Sequence, residues 1–497
     1  MRALSRDTTP AGALIGASAP DATGMVHLGL GNFHRAHAAV YTAEALALAG
    51  GEWGIAGFAN ASDRVAAPMR AQDHRYSILE LSDEGTRAGV VDVHRRADVV
   101  ADDPGAFVSS VAEARHRILT LTVSEVGYSR SSRTGALDLE SPRVRADLDT
   151  PRSPRTAVGL IARGLTLRAE AGDPFTVLSC DNLQSAGRAT RQVVTEFLQH
   201  SGAADDVLDF VAQRVSFPNA MVDRIVPATT AETSAEVAAL LGVTDGAPVR
   251  AEKFSMWVLE DDFAAGRPAW DAAGAIMSDE VEAYELVKLR LLNGSHSLIA
   301  YLGGLDGQPT IPDAWGQDFV RDAVLAGIRH DYLPSIELPR GFDPAPYVEQ
   351  LTHRWGNTAL GDRTSRVGSD GSTKLLQRIP DAALHALADG RTPHLLALTV
   401  AAWIAAVSAR SGFDAGAIAA EMNEPARQSL AAATRGARDN REHARRVLEG
   451  GFLPDALVAH RPFTDRVADL VDTIVRHGAR AAAKEATAAA AAGTETR

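Results

Sequence analysis

Met25-Val-His-Leu-Gly-Leu-Gly-Asn-Phe-His34 is an apolar run that enters a Gly-x-Gly turn and leaves it with helical spacing over residues 35–49. A strand that must turn at once into a helix narrows the choice to architectures in which the two alternate. The pattern recurs at 53–59, 117–124 and 175–180, where short apolar or β-branched runs alternate with helix-like stretches, as in an α/β domain with a largely parallel sheet. Runs at 76–81 and 89–95 flank an Asp-Glu-Gly turn and predict an added hairpin. Polar sequence over 129–155, with three Ser/Thr-Pro pairs, predicts a surface arm. Past about Val281 the texture becomes helical and alanine-rich, so a mainly helical second domain is expected over 281–497 after a first domain over 1–280. Within it, 282–300 reads as a long helix, 395–409 as its buried neighbour, and 481–497 as a tail that frays.

At 497 residues the chain is long enough for two or three domains at about 150 residues each. A net charge of −13 argues against nucleic acid and anionic membrane as partners. The single cysteine, Cys180, fits a cytoplasmic setting. Residues 11–19 resemble a secretion signal only faintly, because Pro10 precedes them and Gly12 and Gly16 dilute them. The apolar run at 395–409 is shorter than the ~18 residues a spanning helix needs.

Two stretches carry chemistry. In the first, Gly29 and Gly31 let the backbone turn tightly and approach a pyrophosphate at a helix N-terminus, the alternative being a plain strand-to-helix turn. His34 stands where the usual third glycine would be. Asp63, beyond the second run, is placed to hold adenosine ribose hydroxyls, or else is a helix N-terminal carboxylate. Arg64 beside it suits a 2′-phosphate, so NAD is favoured over NADP without NADP being dismissed. His34 and His37 have a spacing that metal sites use, but no carboxylate or cysteine completes a ligand set, and a packed pair with no metal is expected.

The second stretch is Glu285-Leu-Val-Lys288-Leu-Arg-Leu-Leu-Asn293-Gly-Ser-His296. On an α-helix, with Lys288 at zero, Glu285 falls at about 60°, His296 at about 80° and Asn293 at about 140°. Four polar side chains then share a face, while Leu286, Leu289 and Leu292 hold the helix to a core. Such a stripe can be plain solvated surface. Gly294 in a Leu-rich helix argues instead that another group approaches closely.

The order Lys288, Asn293, His296 resembles the signature of the polyol-specific long-chain dehydrogenases, the family of mannitol 2-dehydrogenase and fructuronate reductase. Further blocks resemble it too: GLGNFHRAH at 29–37, SCDN at 179–182, FPNAMVDRIVPATT at 217–230, WVLEDDFAAGRPAW at 257–270, KLRLLNGSHS at 288–297 and, more loosely, DRTSRVGSDGSTK at 362–374. Two departures stand out. The family's Glu-Gly-Gly-Tyr reads Glu125-Val-Gly-Tyr128, and its Asn-Pro pair reads Asn357-Thr358.

The resemblance implies an α/β N-terminal Rossmann-like dinucleotide-binding domain plus a mainly α-helical C-terminal domain, with substrate between them. It implies that Asn32, Phe33, Ser124 and Glu125 join Gly29, Gly31 and Asp63 in holding NAD. Lys288 is then the general base of a metal-independent reaction, its pKa brought below the ordinary lysine value of ~10.4 by burial. Asn293 and Asn182 form the donor pair for the developing alkoxide. His296 orients a substrate hydroxyl, or is a core hydrogen-bonding group. Glu285 relays the proton, or pairs with the lysine. Asp223, Arg366 and Lys374 line the substrate cleft, or serve as interdomain ion-pair partners. The implied activity is NAD-linked interconversion of a hexitol and a ketose of the mannitol/fructose type. The alternative is reduction of a keto-uronate, fructuronate or tagaturonate. A dinucleotide sensor without chemistry is the remote alternative, which the presence of Lys288 and Asn293 disfavours. A monomer is expected.

Overall fold

Strands buried on both faces need apolar residues at nearly every position, and the first run supplies them apart from His27, whose ring bonds the Thr120 hydroxyl at 2.8 Å. In the computed structural model, which describes residues 2–495 apart from 9, 83, 132 and 411, residues Thr23–Leu28 form a strand, here β1. Met25 points into one apolar cluster with Ile55, Ile118 and Leu178. Val26 and Leu28 point into another with Phe58, Leu119 and Val177. The period of two thus serves two cores rather than one core and solvent.

The chain divides into two compact units, Met1–Glu282 and Ala283–Arg497. In the first, β1 is joined by β2 (Gly54–Ala59), β3 (His94–Val99), β4 (Ile118–Leu121), β5 (Phe175–Ser179) and β6 (Val215–Ser216). They form one parallel sheet in the order β6-β5-β4-β1-β2-β3. The chain runs outward from β1 to β3 and then returns to β4 on the other side. This is the doubly wound, Rossmann-like order, and its reversal falls between β1 and β4, where such sheets bind ligands beyond the strands' carboxyl ends.

Four expectations need correction. The hairpin exists, pairing Tyr76–Ser82 with Gly85–Val91, but the run at 89–95 divides. Its last residues, His94 and Arg95, begin β3 of the parallel sheet. The helix expected over 35–49 is two, Asn32–Ala36 and Ala38–Ala49, broken at His37 (φ −125°, ψ −93°). The His37 ring stacks on Phe33 and donates from Nε2 to the Met256 carbonyl at 3.2 Å. The polar arm holds a helix of its own, Pro142–Asp149, whose Asp147 carboxylate accepts from the Arg155 and Thr156 backbone N–H groups. Finally, the alanine-rich tail forms a helix, Ala479–Glu495, with Ala482, Ala483 and Ala486 wholly buried; residues 496 and 497 lie outside the described residues. Alanine is the best helix former and lets helices approach closely.

Residues 11–19 are woven into the first unit: Ala13–Leu14 pairs in parallel with Gly89 and Val90, and the Ala19 N–H donates to the Asp92 carbonyl. In the second unit His394–Val407 is buried nearly throughout and packs against Ser295–Leu305 and Arg461–His477. Among the described residues no helix is long and apolar enough to cross a membrane.

The buried helix has no side-chain cap of its own. The Asp331 carboxylate instead accepts from the N–H groups of Leu395 and Leu396 at 2.8 and 3.0 Å. Burial outweighs these bonds and pushes the Asp331 pKa up to about 7. Between the ordinary carboxyl value and about 7 the folded chain therefore keeps a proton that the unfolded chain has lost, so stability falls as pH rises through that window. Asp331→Asn, which retains an accepting oxygen but does not titrate, is expected to gain in melting temperature relative to the native chain between pH 4.5 and pH 8. A difference independent of pH would contradict this.

Candidate active site

At the carboxyl end of β1 the backbone of Gly29 is held at φ +103°, a conformation that favours glycine. A methyl group there would also collide with the backbone carbonyl of Thr122, just past β4. Thr122 in turn donates its hydroxyl to the Gly29 carbonyl at 2.7 Å. The first glycine thus exists to let β1 and the end of β4 touch. Gly31 differs: its φ is −106°, and an added methyl would meet only the Gly29 carbonyl, at 3.6 Å. That face of the turn is open, as a diphosphate would require.

Beneath it the buried Arg35 guanidinium donates to the carbonyls of Gly31 and Ala247 and to Asn32 Oδ1, with no ion-pair partner among the described residues. A cation held by hydrogen bonds rather than by an ion pair, under an open glycine turn, fits an anionic group. Asn32 is held at both ends of its amide, its Nδ2 donating to Thr229 at 3.3 Å. Phe33 is half-buried.

His34 is a packing residue. Its ring stacks on His27 with centroids 3.3 Å apart, and its Nε2 lies 2.9 Å from Nε2 of His94. Burial lowers the pKa of all three, His27 to about 3. Among the described residues no group of three or more His, Cys, Asp or Glu is placed to hold a metal ion.

Asp63 opens the helix Asp63–Ala71 and pairs with Arg70 at 2.7 Å, while Arg64 is exposed. Ser124 and Glu125 are exposed in a tight turn past β4, Ser124 at φ +63°, and the departing residue Val126 is 86% exposed. Asp181 holds this turn and was not singled out from the sequence. Its carboxylate accepts from the N–H groups of Val123 and Ser124 and from the Tyr128 hydroxyl, at 2.8, 3.0 and 2.8 Å. Burial raises its pKa against those bonds. The available signal was position, since Asp181 follows directly on an apolar strand and precedes the exposed Asn182. Asp223 ends the strand Ala220–Asp223 and is buried.

In the second unit the segment read as one helix is α over Val281–Val287, π over Lys288–Gly294 and α again over Ser295–Leu305. The wheel angles must therefore be revised. A π turn, closed by i→i+5 bonds, brings residues five apart round to one side of the helix, so the winding turns Asn293 toward the side of Lys288 rather than about 140° away. Glu285, Lys288, Asn293 and His296 are all half-buried, whereas Leu289, Leu291 and Leu292 are buried. The group that approaches Gly294 is Tyr332, whose hydroxyl a methyl at 294 would strike. The His296 ring lies 6.1 Å from that of Trp355.

Arg366 pairs with Asp362 through Nε at 3.0 Å and through Nη2, an ion pair within its own unit. Lys374 Nζ donates to the Val367 carbonyl at 3.2 Å, and burial, then the Arg378 charge, bring its pKa down to about 8. Only four of the 50 basic residues are lysine: Lys253, Lys288, Lys374 and Lys484. In a chain that otherwise uses arginine, two of the four lie at candidate site positions. That choice suits a group whose proton must leave.

Comparison with known proteins matches residues 23–272 to the mannitol dehydrogenase Rossmann domain and residues 280–449 to the mannitol dehydrogenase C-terminal domain. The chain is 39% identical to D-mannonate oxidoreductase of Escherichia coli (strain K12), over 76% of this chain and 79% of that one. Its fold is similar to a D-sorbitol dehydrogenase in substrate-free form (TM-score 0.86, 30% identity, covering 96% and 99% of the two chains). It is similar also to Pseudomonas fluorescens mannitol 2-dehydrogenase in ternary complex with NAD and D-mannitol (TM-score 0.80, 32% identity, 93% and 94%).

The two glycines should respond differently to alanine. Gly29→Ala is expected to destabilise the chain by about 2–4 kcal/mol in denaturant unfolding, from a backbone collision and a disfavoured φ together. Gly31→Ala should melt within about 2 °C of the native chain, a change well under 1 kcal/mol, yet weaken NADH binding at least tenfold by fluorescence titration. Native affinity in Gly31→Ala would remove the turn from the cofactor site.

Proposed function

The chain belongs to the mannitol dehydrogenase family, and from that premise we propose that it interconverts the secondary alcohol of a hexitol and the ketone of the matching ketose, of the mannitol/fructose type, with NAD as redox partner. The observation that supports the reading is the π winding over Lys288–Gly294, which turns residues five apart, Lys288 and Asn293 among them, toward one side of the helix. Lys288 Nζ takes the hydroxyl proton of the alcohol as its carbon gives up hydride. The Asn293 amide, with that of Asn182, donates to the oxygen as it becomes alkoxide and then ketone, without adding a charge that would quench the base. His296 orients a neighbouring hydroxyl. Glu285, one turn ahead of Lys288, passes the proton onward. Lys374 and Arg366, with Asp223, bind the remaining hydroxyls.

The nicotinamide, when bound, supplies the hydride acceptor. Its dinucleotide is held by Gly29, Gly31, Asn32 and Phe33 at the β1 turn, by Ser124 and Glu125 past β4, and by Asp63, whose carboxylate favours ribose hydroxyls over a 2′-phosphate. A keto-uronate is the second reading. The likeness to D-mannonate oxidoreductase favours it, and the cationic pair Arg366 and Lys374 suits a carboxylate as well as hydroxyls.

Lys288→Ala is expected to lower turnover by about 10²–10⁴-fold while NADH binding stays native; unchanged turnover overturns the assignment of the base. NADH and NADPH oxidation followed side by side with fructose, fructuronate, tagaturonate and pentuloses should show fructose with NADH as the preferred pair. A response to uronates alone overturns the polyol reading.

A further inference from the structure

A π turn is intrinsically rare, and it persists where neighbours hold it. On one side Tyr332 presses against Gly294. The other holder is Arg378. One of its nitrogens, Nη1, donates both to the Asn293 backbone carbonyl and to the Ser297 hydroxyl, each at 2.8 Å. Those two residues are the one before the last of the π turn and the third of the α-helix that follows it, so a single guanidinium bridges the junction. No carboxylate is paired with Arg378 among the described residues, and burial lowers its pKa. A cation kept in such surroundings without a counter-charge is costly, and the Asn293 carbonyl is one of the two groups that compensate it.

The mount is rigid. Arg378 ends the helix Gly371–Arg378, whose first residue abuts Trp403 and Tyr301 so closely that no side chain fits. Glu424 then ties Ser372 and Trp403 together, accepting from the Ser372 N–H at 3.1 Å and the Trp403 Nε1–H at 3.0 Å. A group on a fixed helix that grips the backbone of a candidate catalytic residue decides where that residue's side chain goes.

We propose that Arg378 is a positioning residue: its guanidinium holds Lys288–Gly294 in the π winding that stacks the Asn293 amide over Lys288. Released, the segment relaxes toward α geometry, and Asn293 swings roughly 90° away from the lysine. The proposal rests on the reading of Lys288 and Asn293 as base and oxyanion donor.

Steady-state kinetics of Arg378→Met, Arg378→Lys, Ser297→Ala and Lys288→Ala, with melting curves and NADH titrations for each, test it. Arg378→Met is expected to lose about 10–100-fold in kcat, with KM for the dinucleotide within twofold and NADH binding native. Millimolar guanidinium should restore part of the lost turnover, which a merely structural role would not predict, and Arg378→Lys should lie between. Native kcat in a folded Arg378→Met overturns the proposal. If Arg378→Met does not fold, Arg378→Lys and Ser297→Ala decide: a fall in kcat without a fall in melting temperature supports the clamp, and native kcat in both overturns it. Turnover surviving in Lys288→Ala overturns the catalytic reading itself, whereas an inactive Lys288→Ala beside a fully active Arg378→Met overturns the clamp alone.

Discussion

The contact between Tyr332 and Gly294 is the constraint on which the chemistry proposed for the second unit depends. With the ring seated there, the helix that begins at Val281 carries a π turn between two α segments. The turn widens at Lys288 and turns Asn293 toward the same side of the helix. A regular α-helix of the same sequence would spread the same polar groups over more than a third of its circumference. A glycine that costs helix stability is thus exchanged for a winding that turns the proposed base and the proposed amide donor toward one side.

The first unit uses the same device at Gly29, where the missing side chain lets the end of β1 meet the backbone past β4. That contact lies at the reversal of the sheet order, the point from which doubly wound sheets present ligands. Around it the loops are fixed by a buried arginine and a half-buried aspartate. Arg35 sits below the glycine turn, and Asp181 gathers two backbone N–H groups and a tyrosine hydroxyl past β4. Each compensates its own burial through hydrogen bonds rather than an ion pair, which leaves the loops fixed while the surface they present stays open.

Much of this was legible in the sequence, for identifiable reasons. Both faces of β1 are buried, so its run is apolar but for His27, and the Gly-x-Gly that follows marks a tight strand-to-helix turn. Gly294 in a leucine-rich helix correctly announced a close neighbour. The π winding was not legible, because nothing in KLRLLNG differs from α-helical sequence; Tyr332 and Arg378 impose it from 38 and 84 residues further along. The strand β3 was hidden because its first residues continue the hairpin's apolar run. The tail was misjudged because an alanine helix without bulky side chains looks unanchored until Asp318–Gly327 is seen to receive it.

The protonation of Lys288 tests most directly whether this helix carries the base. The chain has only four lysines, so side-chain ¹⁵N or ¹³C labelling yields a spectrum that single Lys→Arg substitutions assign. The ordinary lysine value of about 10.4 is the reference. Lys288 should titrate well below it. A Lys288 that titrates at the ordinary lysine value would contradict its assignment as general base.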